Sequence, residues 1–363
     1  MKQFICIFLL LKVSVSFGQY SIGKKDSLYS KVLKEQRALR VYVPESAKGD
    51  SKQQFPVIYL LDGETYFHSF TGEVSHLSEI NGNAVIPDMI VVGIVNTTRS
   101  RDLSPTRDSL SNVQPNGGGE QFTRFIETEL FPYINTHYPV APYRMLVGHS
   151  LGGLFTVNTL LKHTGLFNSY LAIDPAFDWD KKKLLIESES QLLSTSFKNK
   201  SLFLGGSSLC IESNSAFESL LKKMDTNGLI WQSKYYNDES HGSVPLISSY
   251  DGLKFLFSFY KRPSFVTITD SSIKILAAHY EMVSTKMGYT IHPPENLLLG
   301  LAWRCRVLEK NYDKAYPFLH LAETCYPTSV EVNTALADLY TDKGDTLNAN
   351  HYRVKAVKLS NRK

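Results

Sequence analysis

A chain of 363 residues, 43% of them apolar and 20% charged, is too long for one small domain and can bury a sizeable core. Its 39 basic and 35 acidic residues leave a net charge of only +4, with no Lys/Arg block, so no nucleic-acid partner is expected. The ten histidines form no HExxH-type cluster and no cysteine pair has a metal-ligand spacing, so no metal site is expected.

The first segment reads as a secretory signal peptide, residues 1–18. Met1 and Lys2 start a short positive region, Phe4 to Phe17 is mostly apolar, and Ser16 and Gly18 are small residues suited to a cut before Gln19. Cys6 lies inside the apolar run, so no lipid anchor is expected. No later stretch is long and apolar enough to span a membrane. The mature chain is expected to be exported, to the periplasm or beyond. It would keep Cys210, Cys305 and Cys325, an odd set that reads as buried apolar side chains. A Cys305–Cys325 bridge is the alternative.

Strand signals follow at Gln36 to Pro44, Phe55 to Leu61 and Met89 to Val95. Phe122 to Asn135 has helical spacing, and Tyr143 to Val147 is a further apolar run. Then comes Gly148-His149-Ser150-Leu151-Gly152-Gly153, leading into a helical run from Leu154 to Lys162. Strand, G-x-S-x-G and helix together are the context of a nucleophile elbow, with Ser150 lifted to the carboxyl edge of a sheet. Further strands are expected at Ser169 to Ile173, Ser201 to Leu204 and Ile230 to Tyr236, and a helix at Tyr250 to Phe259. Strands alternating with helices predict an α/β domain over 19–262, a mainly parallel sheet with helices on both faces.

From 263 to 363 the pattern is helical, beginning with Ser271 to Gly288 and Pro294 to Glu309. Ala315 and Ala349, Ala322 and Ala356, and Phe318 and Tyr352 share an offset of 34 residues. That period is typical of tetratricopeptide repeats, so a small all-α, tetratricopeptide-like region is expected, with an unrelated helical bundle as the alternative.

A serine hydroxyl needs a base. His241 sits in the polar loop Asn237 to Ser243 after the last strand, where a base belongs; His163, close behind the elbow, is too near in sequence to reach over Ser150. The acid is expected after the Ser201 to Leu204 strand, where Glu212 is the first carboxylate. Asp238, Glu239 and Asp174 remain alternatives, as does a serine–histidine dyad. The backbone N–H of Leu151 and, after the Phe55 to Leu61 strand, that of Glu64 are the expected oxyanion donors. Arg99 and Arg101 read either as substrate-positioning cations or as a loop-stabilising pair with Asp102.

These residues resemble the putative esterase family, the esterase D group of α/β-hydrolases, which includes enterobactin and salmochelin esterases, S-formylglutathione hydrolases, feruloyl esterases and mycolyltransferases. The resemblance rests on VIYLLDGE (Val57 to Glu64), NTTRSRDLSPT (Asn96 to Thr106), ELFPYI (Glu129 to Ile134), PYRMLVGHSLGGLF (Pro142 to Phe155) and HGSVPLISSYDGLKFLF (His241 to Phe257). It implies an α/β-hydrolase fold, Ser150 as nucleophile, His241 as base, and Leu151 and Glu64 as oxyanion donors. The sequence departs from many members at Ile173-Asp174-Pro175-Ala176, where they carry Ser-Pro-Ser. The resulting expectation is an exported serine esterase that needs no metal or organic cofactor. It acts on a small-molecule carboxylic ester, with a siderophore-type ester favoured by the resemblance. The helical tail offers a surface for a protein partner. An acyltransferase with the same acyl-enzyme, or a binding protein acting through the tail, are the rival readings.

Overall fold

The computed structural model describes residues 22–48, 53–79, 84–223 and 227–361; the expected signal segment lies outside them. Eight strands form one sheet: β1 (Lys24–Ser30), β2 (Glu35–Tyr42), β3 (Phe55–Leu60), β4 (Ile90–Ile94), β5 (Val140–His149), β6 (Ser169–Ile173), β7 (Ser201–Ser207) and β8 (Ile230–Tyr236). Their order is β1-β2-β4-β3-β5-β6-β7-β8. β2 runs antiparallel to both β1 and β4, and every other pairing is parallel.

Burial along the strands explains the layers. β3, β4 and β6 are buried at every position, as continuous apolar runs must be when both faces of a sheet are covered. β2 alternates, turning Arg37, Leu39 and Val41 inward. The connecting helices are α1 (Gly63–Glu79), α2 (Arg99–Leu103), α3 (Gly119–Phe125), α4 (Phe131–His137), α5 (Leu151–Lys162), α6 (Trp179–Ser194), α7 (Ile211–Lys223) and α8 (Val244–Leu256). α3 runs through one π-helical segment directly into α4. One core layer gathers side chains of α3, α4, α5, α6 and α7, including Phe122, Phe155 and Phe217. The opposite layer gathers those of α1 and α8, including Phe67, Phe70 and Leu253. This is the α/β-hydrolase architecture expected. The expected strands all form, and β5 and β7 extend further than their apolar runs.

Five more helices follow: α9 (Ser272–Met287), α10 (Glu295–Trp303), α11 (Tyr312–Cys325), α12 (Val330–Asp342) and α13 (Thr346–Ser360). They share a third core built on Leu276, Leu298, Phe318, Leu336 and Leu339. The 34-residue offset has a physical counterpart. The Asn311 side chain caps α11 by accepting from the Lys314 N–H (3.0 Å), and the Asp345 side chain caps α13 by accepting from the Asn348 N–H (3.1 Å). Ala315, Ala322, Ala349 and Ala356 are all buried, which lets neighbouring helices approach closely. α9 also sends Val283 and Met287 into the α1/α8 core layer. The helical tail is therefore joined to the sheet domain by apolar packing as well as by the chain. Cys210, Cys305 and Cys325 are free thiols, so the alternative of a Cys305–Cys325 bridge is not realised.

A buried ion cluster ties the antiparallel edge to the loop after β4. Arg37, 0% exposed, donates from Nη1 to Asp102 Oδ2 (2.7 Å) and Glu35 Oε1 (2.9 Å), and from Nη2 to the Val95 carbonyl (3.2 Å). Removing one member leaves an uncompensated buried charge. Asp102→Ala should cost about 3–5 kcal/mol of stability, read from denaturant unfolding. A loss under about 1 kcal/mol, the level of an exposed pair, would contradict a role for this cluster in holding the edge.

Candidate active site

Ser150 joins the carboxyl end of β5 to the first turn of α5. Its backbone sits at φ 59° and ψ −118°, a conformation that an L-residue adopts only at a cost of about 1–3 kcal/mol. The flanking glycines make the turn possible. A Cβ on Gly148 would lie 2.2 Å from the Gly152 carbonyl oxygen, so any side chain there would force strand and helix apart. The turn is pinned by the Ser150 N–H donating to the Ile173 carbonyl (2.9 Å), and by the Ala176 N–H donating to the Ser150 carbonyl (3.1 Å).

The same hydrogen bonds bring the next strand alongside. β5 and β6 pair in register, His149 opposite Ile173, so Ser150 and Asp174 follow the two strands at adjacent carboxyl ends. Asp174 is 0% exposed and turns at φ 42°. Its Oδ1 accepts from the Ser207 N–H (2.6 Å), its Oδ2 accepts from the Ser207 hydroxyl, and Oδ2 also accepts from His241 Nδ1 (3.0 Å). A carboxylate held in this way fixes the imidazole ring and leaves Nε2 free to face a hydroxyl. His241 itself lies in the loop between β8 and α8, and its ring lies against that of His149, the neighbour of Ser150, with centroids 4.4 Å apart and the planes tilted by 42°.

The structure does not bring the expected acid, Glu212, to His241. Glu212 lies in the first turn of α7, its side chain 93% exposed, and it pairs with Lys182 Nζ at 3.4 Å rather than with His241. β7 runs on to Ser207 and passes through a short 3₁₀ turn before α7 begins. No carboxylate on that connection reaches His241. Asp174, one strand earlier, partners the histidine.

His149 was not singled out in the sequence, yet it is central here. It is 7% exposed, and its Nδ1 shares a hydrogen bond with the Tyr66 hydroxyl of α1 (2.8 Å). Its Nε2 is buried with no hydrogen-bond partner. Burial first, and then the nearby His241, push its pKa down to about 4. A strand-end histidine beside the elbow serine was a visible signal; its closeness to His241 depends on the fold.

The expected oxyanion donors are the first N–H groups of two helices. Leu151 opens α5, and Glu64 follows Gly63 at the start of α1. Such amides have no carbonyl one turn before them inside the helix and suit developing negative charge. The loop before α1 is held by Asp62, a buried residue with φ 53°. Asp62 accepts a bidentate pair from Arg99, Nε at 2.7 Å and Nη2 at 2.9 Å, and a bond from Asn96 Nδ2 (2.6 Å). Arg99 also donates to the His149 carbonyl (3.2 Å). The Glu64 carboxylate accepts from the Asn96 N–H (3.1 Å) and Nδ2 (2.6 Å). Arg101 donates to Glu35 and Asp102 within the buried ion cluster. Both guanidinium groups pair with carboxylates of their own chain, as the loop-stabilising reading expects. Arg99 supports the loop beneath the site, and Arg101 holds the Arg37 cluster.

The depressed His149 pKa carries a stability consequence. Its folded value, about 4, lies below the ordinary 6.5, so the unfolded chain binds more protons between those limits. Stability should therefore fall as pH drops from about 6.5 to about 4, by about 3 kcal/mol from this group. His149→Gln should flatten that part of a urea-unfolding series measured across pH. An unchanged slope would show that His149 is not the group responsible.

Comparison with known proteins gives the family and the fold. The model of the family described as "Putative esterase" matches residues 30–261. The ferri-bacillibactin esterase BesA of Bacillus subtilis is 31% identical over 167 residues, 42% of this chain and 58% of that protein. A siderophore enterobactin esterase of Emericella nidulans is 28% identical over 184 residues, 46% of this chain and 59% of that protein. The chain thus spans less than two thirds of the length of these curated relatives. Among solved structures, the IroE-like serine hydrolase of Shewanella oneidensis superposes with a TM-score of 0.74 at 30% identity, covering 83% of this chain and 99% of that one. With the family model matched over more than half its length, this chain belongs to the putative esterase family, on an α/β-hydrolase fold.

Proposed function

We propose that this chain is an exported serine esterase in which Ser150, His241 and Asp174 form the catalytic triad. The observation that carries the reading is the 3.0 Å contact between His241 Nδ1 and a fully buried Asp174, set beside a serine on a strained elbow. In this reading Ser150 Oγ attacks the ester carbonyl while His241 Nε2 takes its proton. The tetrahedral oxyanion is met by the Leu151 and Glu64 N–H groups. The imidazolium returns the proton to the departing alcohol, leaving an acyl-serine. Water, deprotonated by His241, then releases the acid. Asp174 keeps the Nδ1 proton in place and stabilises the imidazolium without being protonated itself.

The relatives support a substrate class. By their names, one of these relatives is an esterase of ferri-bacillibactin and the other of the siderophore enterobactin, which favours a siderophore-type ester here. The expected leader at 1–18 supports export. No helix among the described residues is long and apolar enough to cross a membrane. Repeated capping and buried alanines at the 34-residue offset support a tetratricopeptide-like tail, a scaffold suited to a protein partner.

Hydrolysis of p-nitrophenyl esters and of enterobactin by the mature protein tests the reading. Ser150→Ala and His241→Ala should each lower kcat by on the order of 10⁴-fold or more. Asp174→Asn should lower it by about 10³–10⁴-fold, whereas Glu212→Gln should leave it within about twofold, as expected of an exposed ion pair. A Glu212→Gln loss larger than that of Asp174→Asn would reverse the assignment of the acid. Full activity in Ser150→Ala would remove the serine mechanism altogether.

A further inference from the structure

His149, Asp174 and His241 bring two imidazoles and one carboxylate together. One donor atom from each lies within 4.8 Å of the other two, the only such cluster of three among the described residues. Two imidazoles and a carboxylate are a nitrogen-rich donor set, suited to a borderline transition cation and poorly suited to Mg²⁺ or Ca²⁺. The second observation is the His149 Nε2 atom, buried and without a hydrogen-bond partner in a residue 93% withdrawn from solvent (7% exposed). When the Nδ1 proton is donated to the Tyr66 oxygen, 2.8 Å away, Nε2 carries the lone pair and is the ring atom left free to ligate. Tyr66 then plays the outer partner that ligating histidines usually have.

We propose that His149, Asp174 and His241 form an inhibitory binding site for a divalent transition cation such as Zn²⁺. Zinc ligands lie about 2.0–2.2 Å from the metal, so donors spread over as much as 4.8 Å must draw together to share one cation. Asp174 and His149 are held by the sheet ends, and His241, 36% exposed on its loop, is the side chain able to move. The fourth tetrahedral position would face the solvent side and take water.

Inhibition follows from the His241 nitrogen the cation takes, Nδ1, the atom that faces Asp174. The cation displaces the Nδ1 proton, which moves to Nε2, so that Nε2 has no lone pair to offer the Ser150 hydroxyl, and the hydrogen bond from the ring to Asp174 is lost. No bond of the substrate is made or broken. Binding to the cluster does not depend on the esterase reading; the effect on turnover rests on it.

Calorimetric titration of the full-length mature protein with Zn²⁺, beside ester hydrolysis, separates the two. Wild type and Ser150→Ala should each bind one Zn²⁺ with matching affinity, and hydrolysis by the wild type should fall as that site fills, return with a chelator, and ignore Mg²⁺. His149→Phe and His149→Gln should each weaken the one-to-one binding by roughly tenfold or more. Unchanged affinity in both His149 variants would overturn the proposal, as would zinc binding that leaves wild-type hydrolysis intact. Should the wild type hydrolyse no ester, the esterase reading fails, while the affinities of Ser150→Ala with and without His149→Phe still decide the metal site.

Discussion

The turn at Ser150 is where a strand, a helix and the neighbouring strand meet within a few ångströms, and the rest of the site is arranged around it. Its backbone is strained, so it persists only because surrounding contacts over-determine it. Gly148 and Gly153 allow β5, α5 and β6 to approach more closely than any Cβ would permit. The Ser150 N–H and carbonyl then lock that turn to Ile173 and Ala176. Through the same register Asp174 reaches the position beside the serine, and Ser207 at the end of β7 satisfies its carboxylate. Three consecutive parallel strands thus contribute one element each to a single polar cluster at the carboxyl edge of the sheet.

Electrostatics beneath the site has a similar logic. Asp62, Arg99 and Asn96 form a paired, hydrogen-bonded group under the loop that presents the Glu64 N–H. Further out, Arg37, Arg101, Glu35 and Asp102 neutralise each other where β2 meets the loop after β4. The positive charges near the site are therefore tied to the protein's own carboxylates. The first helix of the tail is fixed to the sheet domain by Val283 and Met287.

What could be read from the sequence was what local pattern encodes. A continuous apolar run, a G-x-S-x-G turn and a helix are adjacent in the chain, so the elbow at Ser150 was legible. His241 was legible as a candidate base because it stands in the polar loop after the last strand. Its carboxylate partner was not, since that depends on how far β7 extends and on which strand end lies beside the histidine. Asp174 follows five buried residues and precedes Pro175, a signal that an isolated carboxylate is being held at a strand end. β1 escaped notice because it is an edge strand whose Lys24, Lys25 and Asp26 do not alternate with apolar residues. The roles of Arg99 and Arg101 were left open by the sequence because choosing between substrate and ion pair requires knowing where Asp62 and Glu35 lie in space.

The central claim is that Ser150 is a nucleophile activated by His241 and Asp174. Its most direct test is labelling of the mature, folded protein with a fluorophosphonate, followed by peptide mass spectrometry. The account predicts a single adduct on the peptide containing Ser150, formed much more slowly in Asp174→Asn. A folded protein that stays unlabelled, or that carries its adduct on another residue, would contradict it.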